Sequence, residues 1–133
     1  MTRPSALPPP FVLLVDDHEC TLQRLAEIVR LAGHRCVLAR SGAEALAYCV
    51  EHRPRVVVTD LVMPQLGGDI LALWMRSRYP STPLVLVTGE DLDSDRLAPL
   101  RTRFAAILPK PIDPERLLAL IARWMSPPWE LEA

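Results

Sequence analysis

Short, wholly apolar runs alternate with stretches of helical periodicity between residues 11 and 125, and most of the runs stop at a polar side chain of a distinct kind. Phe11-Val12-Leu13-Leu14-Val15 is apolar throughout, as a strand buried on both faces must be, and leads into Asp16-Asp17. Leu22, Leu25, Ala26, Val29 and Ala32 then recur at helical spacing, with Gly33 as a left-handed stop. Cys36-Val37-Leu38-Ala39 predicts a second strand. Ser41 caps the next helix, with Glu44 placed for a capping box and Ala43, Leu46, Ala47 and Val50 on the apolar face. Val56-Val57-Val58-Thr59 is the third strand and ends on Asp60. A turn at Gly67-Gly68 opens a helix from Asp69 to Arg78, which Pro80 ends. Leu84-Val85-Leu86-Val87 ends on Thr88, and Phe104-Ala105-Ala106-Ile107-Leu108 runs into Pro109-Lys110-Pro111. Asp113-Pro114 is a cap followed by proline at the first helical position, and Leu117, Leu118, Ile121 and Met125 continue that helix.

Strands that alternate with helices through short connections predict an α/β fold with one doubly wound parallel sheet. Right-handed crossovers then put helices on both faces. Residues 1–10 form a proline-rich extension, 11–125 the domain, and 126–133 a tail after the last helix. Residues 91–103 carry the least pattern and include Pro99, which costs a helix interior about 3 kcal/mol. Any helix there should be short, displaced or mobile, with few packed apolar residues and low local stability.

Composition narrows the classes of function. The chain has 133 residues and a formal net charge of -1, so it lacks the basic balance of a nucleic-acid binder. The arginines alternate with acids and read as solvated helix faces. Cys20, Cys36 and Cys49 have neither zinc nor disulfide spacing and read as small buried hydrophobes in a reducing compartment. No apolar run is long enough to span a bilayer and no leader pattern stands at the start, which predicts a cytoplasmic chain with no membrane partner.

The candidate chemistry lies at the strand ends. Ligands bind at the C-terminal edge of a parallel sheet, where this chain delivers Asp16, Asp17, Asp60, Thr88 and Lys110. Three carboxylates gathered at one edge repel one another unless a cation joins them. With a hydroxyl and an ammonium beside them, they form a site for a divalent cation and a phosphoryl group. His18, His34 and His52 show no partner pattern and read as surface or packing residues.

Asp16-Asp17, Asp60, Met63-Pro64, Gly68, Thr88 and Lys110-Pro111, in this order, resemble the receiver domain of bacterial response regulators. The resemblance covers residues 11 to 125 and implies a flavodoxin-like sheet of five strands in the order 2-1-3-4-5. It implies that Asp60 accepts a phosphoryl group from a sensor histidine kinase or phosphotransfer protein in a Mg²⁺-dependent reaction. Asp17 would bind the metal directly and Asp16 mostly through water, with Asp60 and the backbone carbonyl of Val62 completing the protein ligands. Lys110 would pair with a phosphoryl oxygen and Thr88 would hydrogen-bond another. A cis Lys110–Pro111 bond is implied as well. Such a chain is no enzyme in the usual sense, because it catalyses only its own phosphorylation and dephosphorylation. It touches no nucleic acid directly, and there is room for a homodimer.

Three features depart from the pattern. Ile107 stands where the family has an aromatic ring, so the usual movement from threonine to ring is not expected. Pro99 interrupts the place of the fourth helix, on the family's usual output face. Val62 and Glu90 occupy the positions that tune dephosphorylation, and an apolar Val62 offers the attacking water no hydrogen bond. Such a chain is a stand-alone regulator, a relay protein or a piece of a longer protein. The competing reading is an interaction module of the same fold that needs no phosphate. A phosphohydrolase of the haloacid dehalogenase type would want Asp-x-Asp on the first strand, and a flavin carrier a hydroxyl-rich loop after it; Asp16-Asp17-His18-Glu19-Cys20 supplies neither.

Overall fold

The computed structural model describes residues 9–125. Five strands, β1 (Val12–Val15), β2 (Cys36–Ala39), β3 (Val56–Asp60), β4 (Leu84–Thr88) and β5 (Ala106–Pro109), form one parallel sheet in the order β2-β1-β3-β4-β5. The helices are α1 (Glu19–Leu31), α2 (Gly42–Cys49), α3 (Gly68–Arg78) and α4 (Pro114–Met125). The predicted residues 1–8 of the extension and the tail at 126–133 lie outside the described residues.

Alternation along the strands sorts the core into two layers. Leu13, Val15, Val57, Leu84 and Leu86 face α2 and α3, packing on Ala45, Cys49, Leu71, Ala72 and Met75. Val12, Leu14, Val56, Val58, Val85, Val87 and Leu108 face α1 and α4, packing on Leu22, Leu25, Val29, Leu117 and Ile121. The central strands β1, β3 and β4 are buried at every position. That explains their unbroken apolar reading in the sequence.

Local signals explain most element ends. Gly33 adopts φ 91, the left-handed conformation its place after α1 demands. Ser41 accepts the Glu44 N–H at 3.0 Å, while Glu44 reaches back to the Arg40 N–H, one residue before the cap. Asp113 accepts the Glu115 N–H at 3.0 Å and starts α4.

The structure corrects several expectations. The buried face of α2 is Gly42, Ala45 and Cys49, whereas Ala43, Ala47 and Val50 are exposed. Alanine on every side of this helix left its periodicity ambiguous, and Gly42 with Ala45 lets it approach the neighbouring loop and sheet closely. The turn before α3 is made by Gln65, at φ 67, while Gly67 is the extended cap and Gly68 the first helical residue. Strand β5 starts at Ala106 rather than Phe104 and runs through Pro109. Cys20 is exposed and Cys36 half-buried, so only Cys49 is the buried hydrophobe expected, with burial pushing its thiol up to about 11.

Residues 91–103 bear out the expected short helix but not the expected sparse packing. The backbone there holds only a 3-10 turn, Ala98–Leu100, with Pro99 within its first two positions. Yet Leu97 is wholly buried, Leu100 and Phe104 nearly so, and Leu92 packs against the same layer. Arg76 from α3 also donates to the Thr102 carbonyl at 3.3 Å. The segment is irregular in backbone but anchored by its side chains. Leu97→Ala is therefore expected to cost about 2–5 kcal/mol, the range for emptying a full leucine site. Urea denaturation measures it, and a loss within experimental error would show the segment to be unanchored.

Candidate functional site

Strand register assembles the site. Val15 lies beside Thr59 on β3, so Asp16 and Asp60 come level one residue later. Asp60 pairs with Val87 and Thr88 with Pro109, which brings Thr88 and Lys110 to the same edge. Asp60 shares a face with Val56 and Val58, as Lys110 shares one with Leu108, so the alternation turns both toward the α1 and α4 layer. Thr88 has the opposite parity, shared with Leu84 and Leu86.

The outcome is a tight ionic cluster. Asp16 and Asp60 are nearly out of water, at 1% and 8% exposure. Lys110 Nζ stands 3.4 Å from Asp16 Oδ2 and 3.4 Å from Asp60 Oδ2. The Lys110–Pro111 bond is cis, as the resemblance implied. Backbone amides take the other carboxylate oxygens: Leu61 N–H donates to Asp60 Oδ1 at 2.8 Å and His18 N–H to Asp16 Oδ1 at 2.9 Å. Burial pushes the Asp60 carboxyl above its ordinary range; the Lys110 ammonium pulls it back, the Asp16 carboxylate adds to the rise, and the Leu61 amide opposes it. Asp17 is more open, with its side chain 26% exposed.

Gly68 ties the site to α3. A Cβ there would fall on the carbonyl oxygen of Asp60 and within 3.2 Å of Leu61 Cα, so glycine is required by close approach rather than by its φ.

Thr88 is buried, and its hydroxyl accepts the Glu90 N–H at 3.0 Å. Val62 is 59% exposed in the loop after β3. Glu90 is engaged by Arg96 at 3.0 Å, which draws its carboxylate toward the 91–103 segment. Ile107 pairs with Leu86 and packs against the α2 and α3 layer.

One residue was missed. His18 was expected to be a surface or packing residue; its side chain is exposed, yet its Nδ1 lies 3.5 Å from Asp17 and 3.6 Å from Asp16. One ligand atom each from Asp16, Asp17, His18 and Asp60 lies within 4.8 Å of the other three. The only signal in the sequence was adjacency to the acidic pair. A donor set dominated by carboxylate oxygens suits a hard divalent cation.

The family model for the response regulator receiver domain matches residues 12–122. The chain belongs to this family. It is 35% identical over 108 residues to the response regulator MprA of Mycobacterium sp. (strain KMS), covering 81% of this chain and 47% of that protein. The receiver thus spans about half the length of such curated relatives. Among solved structures, the signal receiver domain of an HD domain-containing protein from Pseudomonas fluorescens Pf-5 superposes with a TM-score of 0.78 at 29% identity, covering 89% of this chain and 95% of that one. The chemotaxis protein CheY4 of Vibrio cholerae gives 0.77 at 29% identity, covering 88% and 99%. Among the described residues of this receiver, no helix is long and apolar enough to cross a membrane.

The raised carboxyl at residue 60 has a sign that can be tested. A group whose pKa rises on folding lowers stability when it is ionised, and the cost is relieved as pH falls through the folded value. Asp60→Asn should therefore raise the melting temperature in chelator at neutral pH by a few degrees. The gain over wild type should shrink on acidification through the carboxylate range. Thermal denaturation across that range checks it; a variant less stable than wild type at neutral pH would mean that the Lys110 contact outweighs burial.

Proposed function

We propose that this receiver is a phosphoacceptor in a two-component pathway of the cytoplasm, with residues 11–125 as the working unit. The observation that carries this reading is a buried Asp60 whose carboxylate faces Lys110 at 3.4 Å, beside a cluster of acids able to hold a cation. A carboxylate oxygen of Asp60 attacks the phosphorus of a phosphohistidine on a sensor kinase or phosphotransfer protein. The P–O bond forms as the P–N bond breaks, and the electron pair leaves on the imidazole, which takes up a proton.

Positioning and charge neutralisation govern such a transfer. Lys110 reaches the edge from the end of β5, two strands away from β3, and pairs with an oxygen of the incoming group. Thr88 breaks its contact with the Glu90 amide, or shares it, to bond a second oxygen. Asp16, Asp17 and Asp60, with the Val62 carbonyl, are the residues to hold Mg²⁺. When bound, Mg²⁺ supplies positive charge against the phosphoryl oxygens and the acids. Reversal by water completes a cycle that the chain catalyses on itself alone.

The output is a changed protein-binding surface, without direct contact to nucleic acid or membrane and with room for a homodimer. Ile107 and the irregular 91–103 segment point away from a rotating ring and toward a shift of that segment when Thr88 is drawn inward. The same two features favour the second reading, a receiver fold that binds its partner without phosphate.

Incubation with acetyl phosphate and Mg²⁺ followed by mass spectrometry separates the two. The expected result is one phosphoryl adduct on the wild type, none on Asp60→Asn, and none on Asp17→Ala or in chelator. An equal yield on Asp60→Asn would overturn the acceptor assignment. An unlabelled wild type that still binds its partner would favour the phosphate-independent module.

A further inference from the structure

The His18 imidazole is fixed near the acids by the backbone on either side of it. Its own N–H is spent on Asp16 Oδ1, and it caps α1 at φ -89, ψ 111 without any capping bond from its side chain. The ring is 71% exposed and is left beside the two acids, with Nδ1 at 3.5 Å from Asp17 Oδ1 and 3.6 Å from Asp16 Oδ1. Aromatic stacking does not employ it among the described residues, unlike His52, which stacks on Tyr48.

We propose that His18 is a further ligand of the divalent-cation site and biases that site toward transition-metal ions over Mg²⁺. The proposal rests on the reading that Asp16, Asp17 and Asp60 hold a cation. Two ligand atoms about 2.1 Å from one ion, in neighbouring octahedral positions, are about 3 Å apart. The present separations exceed that by about half an ångström, which rotation of an exposed side chain can close without disturbing the core. In doing so the nitrogen displaces a water that Mg²⁺ would otherwise retain.

The consequence is selectivity more than strength. Mg²⁺ favours oxygen and water, and an imidazole nitrogen adds little to its binding. Ions such as Co²⁺ and Ni²⁺ gain much more from that nitrogen, so one histidine beside the carboxylates changes the ratio between ions. The competing role for His18 is a hydrogen-bonded or ion-pair partner of the two acids that never touches the metal.

The test uses the full chain, wild type and His18→Gln, which keeps the backbone N–H on Asp16. Calorimetric titration with Mg²⁺ and with Co²⁺ gives the affinity ratio, and pulsed electron paramagnetic resonance of the Mn²⁺ complex reads nitrogen coordination directly. The expected outcome is a Co²⁺ over Mg²⁺ ratio that falls roughly tenfold or more in His18→Gln, at least the loss seen when a group that orients a metal ligand is removed. Nitrogen coupling should be present in the wild type, absent in His18→Gln and retained when both His34 and His52 are replaced by Gln. An unchanged ratio with all-oxygen surroundings in both proteins overturns the role of His18 while leaving the cation site intact. Nitrogen coupling that disappears with His34 and His52 overturns it too. If no ion binds the wild type, the metal reading itself fails, and this one with it.

Discussion

Two carboxylates, Asp16 and Asp60, are held almost out of water on neighbouring strands, and the Lys110 ammonium stands 3.4 Å from each. Like charges so placed oppose folding unless a positive charge lies between them. The rest of the molecule can be read as what this requires. β1 and β3 must be adjacent and parallel for the acids to come level, and β5 must end at the same edge for the lysine to reach them. Central strands buried on both faces fix that register, because a slip of one residue would turn the acids into the wrong layer.

The lysine alone does not quiet the cluster. Burial still leaves Asp60 above its ordinary range, and Asp17 brings a further negative charge at the rim. The edge is therefore under electrostatic tension that a bound cation would relieve, and under the proposed function a phosphoryl group would add to it again. A site that alternates between these charge states is suited to signalling, since each change in occupancy alters the balance of forces on the loops that carry the groups. Glu90, whose N–H donates to Thr88 at the end of β4, belongs to one such loop and is joined to the 91–103 segment through Arg96.

Much of this was legible in the sequence, for physical reasons. Strands buried on both faces leave continuous apolar runs, and each run's last residue names what stands at the sheet edge. The cap at Ser41, the stop at Gly33 and the start at Asp113 were equally plain, since each satisfies a backbone group at a fixed offset. What failed was information not local to the sequence. The buried side of α2 depends on which small residues meet the sheet and the Leu66 loop, and alanine on all sides conceals it. Residues 91–103 were judged by their backbone, broken by Pro99, while Leu97, Leu100 and Phe104 hold the segment by burial regardless of helicity. His18 was judged by spacing to other ligands, whereas the turn between β1 and α1 supplies its neighbours.

Gly68 leaves no space between the first turn of α3 and the backbone of Asp60. Two parts in van der Waals contact transmit compression without slack. A push along α3 from any protein seated on that helix would be borne by the peptide that carries Asp60, and a displacement of that peptide would be returned to the helix. The missing side chain thus makes α3 a close-packed rather than a cushioned support for Asp60, and Ile70 and Leu73 stand exposed on that same helix.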